Sequence, residues 1–159
     1  MATLPQLIEE DIQLLDEELN GLLEKSDATT ALIIDKGGFL IASQGDARRF
    51  DLTTIAALAS GAFMANETIA NLVHETTFNS VYQQGQKLSM FVMSVDEQCL
   101  LVVIFKAQVS VGVVKYFAGP AVGQIARQMV IAHERDPGGG VDLSMLNLAD
   151  ASDVFKKRT

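Results

Sequence analysis

The chain has 159 residues, enough for one domain that buries about two thirds of its unfolded surface. A hydrophobic content of 48% excludes a disordered chain. The net charge of −8 and a pI near 4.6 argue against nucleic acid or an anionic membrane as the main partner. The single cysteine, Cys99, rules out an internal disulfide framework. No basic segment followed by an apolar one opens the sequence, and no apolar run reaches the roughly 18 residues of a membrane span. The expectation is an acidic, soluble, cytoplasmic protein.

Leu7, Ile8, Ile12, Leu15, Leu19 and Leu22 recur at three- and four-residue spacing. Glu9, Glu10, Asp11, Asp16, Glu17 and Glu18 lie between them. This is the pattern of an amphipathic helix with an acidic outer face. Thr3 suits its N-cap, Pro5 its first turn, and Ser26-Asp27 its end. Ala31–Asp35 and Phe39–Ser43 flank Lys36-Gly37-Gly38 and predict a β-hairpin.

Asp51 is a good N-cap for a second helix running to about Val73. From Leu52 to Val73 the only formal charge is Glu67. A helix apolar nearly all round must be covered on more than one side. The sheet supplies one cover. In a domain this small little is left for the other side except a second molecule, so a helix-mediated dimer or partner surface is expected; the alternative is a central helix buried within one protomer. Small residues at Ala57, Ser60, Gly61 and Ala65 permit close helix approach. Asn66, Glu67 and Asn71 disfavour a membrane span.

Thr77–Gln83 and Leu88–Val95 predict two more strands. Gln98–Phe105 holds Leu100-Leu101-Val102-Val103-Ile104, a continuous apolar run suited to a central strand. Ser110 then caps a last helix to about His133, which Pro120 is expected to kink or split near Gly119. Asp136-Pro137-Gly138-Gly139-Gly140 has linker composition. Val141–Thr159 is read as an acidic tail on Asp142, Asp150 and Asp153, with Lys156, Lys157 and Arg158 balancing them at its end; it is either a frayed terminus or a segment that folds on a partner. The order α, β-β, α, β-β-β, α predicts an α+β fold. A five-stranded antiparallel sheet would carry helices on both faces.

Motifs of catalysis are absent from the sequence. His74 and His133 are far apart, and neither an H-E-x-x-H motif nor a cysteine pair offers a metal site. Cys99 lies in an apolar strand, where a thiol is inert. No nucleophile elbow and no phosphate-binding glycine loop occurs. Arg48-Arg49, ahead of the second helix, is either a solubilising pair, a contact for an acidic partner or an arginine offered in trans. A small-ligand sensor is disfavoured, because no convergent polar group breaks the apolar strands.

Three stretches together resemble the roadblock / dynein light chain family, and within it the bacterial MglB group. They are Ala31–Gly45, Asp51–Gly61, and Leu100–Phe105 with Ser110–Val114. The resemblance covers about residues 5–135. It implies a roadblock-type α/β/α sandwich over 1–135, with 136–159 as linker and acidic tail. It implies a homodimer whose third strands join into one sheet and whose second helices pack across the two-fold. The paired helices would form a platform for a Ras-like small GTPase, MglA-like, in cell polarity and gliding motility. Hydrolysis would be stimulated without an arginine finger, and without a cofactor or a catalytic site of the dimer's own. Carried onto this chain, the platform is Ala57, Ser60, Gly61, Met64 and Thr68, and the tail contacts are Leu146, Leu148 and Phe155. The alternative is a roadblock scaffold that binds a GTPase or signalling complex without stimulating it.

Overall fold

A computed structural model describes residues 4–135. The proposed cap Thr3, the linker and the tail anchors Leu146, Leu148 and Phe155 lie outside that range. The elements are α1 (Glu9–Ser26), β1 (Thr30–Asp35), β2 (Leu40–Gly45), α2 (Leu52–Leu72), β3 (Ser80–Gln83), β4 (Leu88–Ser94), β5 (Cys99–Lys106) and α3 (Val111–Arg135).

The strands form one antiparallel sheet in the order β2-β1-β5-β4-β3. β5 is central and pairs with β1 from Thr30↔Ile104 to Asp35↔Cys99. Side chains alternate between the faces of these strands. Ala31, Ile33, Leu101, Val103 and Phe105 pack under α1 and α3 with Leu15, Leu19, Val114 and Ile125. Leu32, Ile34, Leu100 and Val102 pack under α2 with Ala56, Ala59 and Phe63. Because both faces of β1 and β5 are apolar, the sheet must be covered twice, which is why the predicted sandwich forms.

Turn chemistry holds the register. Gly45, at φ +99°, ends β2 opposite Thr30, where a Cβ would collide with the Thr29 carbonyl, so only glycine fits at that end of the pair. Asp96 accepts hydrogen bonds from the backbone N–H groups of Gln98 (2.7 Å) and Cys99 (2.8 Å), tightening the β4–β5 turn. Cys99 is buried, and desolvation pushes its thiol up, as its apolar strand implies.

Three expectations are corrected. The first helix does not begin at Pro5, which is buried ahead of it. Its N-cap is Ile8, whose N–H donates to Asp11 Oδ2 (2.8 Å). Asp11 is not part of the acidic outer face. It is fully buried and accepts from Gln128 Nε2 (2.6 Å) and from both terminal nitrogens of Arg135 (2.8 and 3.0 Å). Helical spacing placed it among exposed acids, but the last turns of α3 cover it. Finally, of the kink or split expected at Pro120, the split does not occur: α3 runs unbroken to Arg135. Pro120 and Tyr116 are both exposed, so water can reach the turn in which the Tyr116 carbonyl loses its helical donor.

α2 ends with His74 in the left-handed region, at φ 61°. His74 N–H donates to Asn71 O (3.2 Å) and Glu75 N–H to Ala70 O (2.8 Å). This crossed pair is the usual helix stop, ordinarily built on glycine.

These contacts can be tested by stability measurements. Above all the Arg135 guanidinium, and then the Ile8 N–H and Gln128, hold the Asp11 carboxyl down at about 2, against desolvation. A carboxyl lowered in the folded state adds stability above pH 3.8, lost as the pH falls toward 2. Asp11→Asn is therefore expected to cost roughly 1–2 kcal/mol in urea unfolding at pH 7, allowing for the partly exposed guanidinium. The difference from the parent should shrink as the pH falls through 2, and a deficit as large there as at pH 7 would refute the charge argument. His74→Gly is expected to raise the unfolding free energy by roughly 0.5 kcal/mol. A loss instead would show that the imidazole makes a contribution of its own.

Candidate functional site

The outer face of α2 is the surface that the fold leaves open. Asp51 starts the helix: its Oδ1 accepts from Thr54 N–H (3.1 Å) and its Oδ2 from the Thr54 hydroxyl (2.7 Å). These bonds hold the Asp51 carboxyl below the usual carboxylate range. Leu52, Ala56, Ala59, Phe63 and Ala70 turn inward onto the sheet.

One flank of α2 is fixed by the β1–β2 turn. The Ser60 hydroxyl donates to the carbonyl of Lys36. Lys36 Nζ pairs with Glu67 Oε1 at 3.4 Å and lies 5.9 Å from the centre of the Phe63 ring. Gly38, at φ +100°, brings its backbone so close that a Cβ there would stand 3.1 Å from Ala57 Cα. So Glu67, the one charge of the helix, is used inside the protomer.

Of the five residues expected on the platform, Ala57, Gly61, Met64 and Thr68 are exposed. Ser60 is not. It is 3% exposed, drawn inward by its hydrogen bond to the turn, and cannot meet a partner. Met64 is 52% exposed and stands above a flat floor: nothing lies within 4 Å of a Cβ built on Gly61. Thr68 folds its hydroxyl back toward the Met64 carbonyl (3.4 Å). No shifted titratable group and no convergent polar set occurs on this face, so its chemistry is that of packing.

A second stripe runs beside the platform. Leu58, Ala62, Ala65, Ile69 and Leu72 follow one another at spacings of four, three, four and three, and all are exposed. Leu58 is 68% and Leu72 is 75% exposed. Fully burying one leucine side chain is worth about 1.5–3 kcal/mol, so this is a costly surface to leave in water. The pattern is the a/d seam of a helix pair. It stands in the sequence and was hidden there, because a helix apolar on every side shows no contrast between faces. The stripe borders β3, an edge strand with an unpaired side. Val81, Met90 and Val92 line a shallow groove with Ala62 and Phe63 between the helix and that edge.

Arg48 and Arg49 are exposed ahead of α2, and the Arg49 guanidinium lies 5.7 Å from the Phe50 ring centre. Among the described residues no cluster of three His, Cys, Asp or Glu side chains could hold a metal ion. No helix among them is long and apolar enough to cross a membrane.

Residues 14–105 match the family model of the Roadblock/LC7 domain. No curated protein matches the chain. A solved structure described as MglB with tetrameric arrangement is similar at a TM-score of 0.77 and 27% identity, over 83% of this chain and 99% of that one. MglB of Myxococcus xanthus is similar at 0.75 and 27% identity, over 80% of this chain and 96% of that one. The gliding protein MglB of Thermus thermophilus gives 0.75 and 27%, over 81% of this chain and 98% of that one. A Roadblock/LC7 domain of Streptomyces avermitilis, at 18% identity and a TM-score of 0.64, shares the fold. The fold is a regulatory adaptor type and not that of a classical enzyme. With more than half of its residues under the family model and this sandwich around them, the chain belongs to the Roadblock/LC7 family.

Proposed function

We propose that this chain is a homodimeric activator of a Ras-like, MglA-like small GTPase, acting in the cytoplasm in cell polarity or gliding motility. The observation that carries the reading is the outer face of α2. It is exposed, uncharged outside the Lys36–Glu67 pair, and divided into a flat platform and an apolar seam. The similarity to MglB structures over most of both chains supports the same reading.

The seam is self-complementary, as a two-fold interface requires. A two-fold axis at Ala65 sets Leu58 opposite Leu72 of a second copy and Ala62 near its Ile69. Small residues then lie at the crossing and large ones at the ends, which lets the helices approach closely. The free edge of β3 continues the sheet into that copy. Two platforms of Ala57, Gly61, Met64 and Thr68 then lie side by side for one GTPase. Met64 suits a surface that must follow a moving switch region. Leu146, Leu148 and Phe155 are the proposed tail contacts.

Stimulation would come from positioning the GTPase's own groups, with no arginine finger. Arg49 is already engaged with Phe50. The second reading is a scaffold that binds without stimulating. Hydrolysis assays separate the two.

Met64→Arg is expected to abolish GTPase binding in a pull-down with a GTP analogue and to leave the dimer intact in light scattering. Ala65→Arg is expected to give monomers. A monomer from Met64→Arg, or a dimer from Ala65→Arg, would overturn the division of the face. Replacing both Arg48 and Arg49 by Ala should leave single-turnover hydrolysis within a few-fold. A loss of about a thousandfold, typical of an arginine finger, would overturn the mechanism.

A further inference from the structure

The face of the sheet opposite α2 carries a different feature. A cavity of about 220 Å³ opens between the N-terminal segment, the β4–β5 turn and the last turns of α3. Pro5, Met129 and Val130 give it apolar walls, with His133, Asp96 and Glu97 around them. Val130 is 54% exposed, although its neighbour Met129 belongs to the core. Asp96 spends one carboxylate oxygen on the turn, and Glu97 is exposed. An apolar hollow under two carboxylates fits an aromatic or long aliphatic side chain followed by cations.

The chain carries such a segment. Phe155 is followed directly by Lys156, Lys157 and Arg158, the one run of three basic residues in the sequence. α3 reaches Arg135, two residues past the cavity residue His133. The twenty residues 136–155 include Gly138-Gly139-Gly140 and exceed the length needed to return to that end of the helix.

We propose that Phe155 seats in this cavity of its own chain, with Lys156, Lys157 and Arg158 against Glu97 and Asp96. The α2 seam and platform lie on the other side of the sheet, so docking leaves them free. It does withhold Phe155 from any other partner. A GTPase contact through Phe155 would have to displace it from the cavity, and that competition alone rests on the function proposed above.

Cysteine pairs in the full chain test the docking, since the native Cys99 is buried. Val130→Cys with Val154→Cys should form an intrachain disulfide under mild oxidation. Adding Phe155→Ser should slow it about tenfold, because the tether stays the same and only the docked concentration falls. Glu97→Lys should slow it similarly, and adding Lys156→Glu with Lys157→Glu should restore it. An unchanged rate with Phe155→Ser overturns the proposal. So does a disulfide that forms only between two chains, which would place the segment on a second copy. Neither readout depends on a GTPase, so failure here and failure of the activator reading are distinguishable.

Discussion

The pairing of β1 with β5 at the middle of the sheet dictates how every other element is placed. Both strands are apolar on both faces, and seven of the eight residues of β5 are buried. Such a pair is stable only between two layers. α1 and α3, joined by Asp11 and Arg135, supply one layer. A single helix, α2, supplies the other. One helix cannot span five strands. The flank over β3 and β4 stays thinly covered, and α2 itself has more apolar surface than the protomer can bury. The proposed interface therefore arises from incomplete coverage of one side of the sheet.

The orientation of α2 is set from the β1–β2 turn. Ser60 reaches the Lys36 carbonyl, Lys36 reaches Glu67 and Phe63, and Gly38 packs its backbone on Ala57. These contacts take up the polar groups on one flank and leave small, methionine and threonine side chains on top. A flat, uncharged top is what a helix platform needs, because every polar group left over would cost desolvation on contact.

On the opposite face, Asp11 accepts four hydrogen bonds from three residues, Ile8 at the start of α1 and Gln128 and Arg135 in α3. Removing a carboxylate from water is costly, and this one is compensated by a guanidinium and by amide donors. The bond to Arg135 fixes the last turn of α3 beside the start of α1. It thereby fixes the point from which residues 136–159 depart, close to the cavity at His133.

Local pattern alone was enough for much of this. The periodicity of Leu15, Leu19 and Leu22, the Gly37-Gly38 turn, the Asp51 cap and the run Leu100–Ile104 each depend on near neighbours in sequence. The hairpin, the central strand, the count of strands and the uncharged second helix were legible for that reason. Tertiary structure decided what depends on distant residues. Asp11 left the acidic face because Arg135, 124 positions away, covers it. Ser60 left the platform because the Lys36 carbonyl lies beneath it. Pro120 did not end α3; it and Tyr116, whose carbonyl loses its helical donor, both lie on the exposed side of the helix. The exposed stripe Leu58–Leu72 separated from the proposed platform only once the sheet gave α2 an inside. A residue's type sets what it can bond to. Which of its neighbours is buried with it is set by the whole chain's packing, and that choice decided which of these residues are covered and which stay exposed.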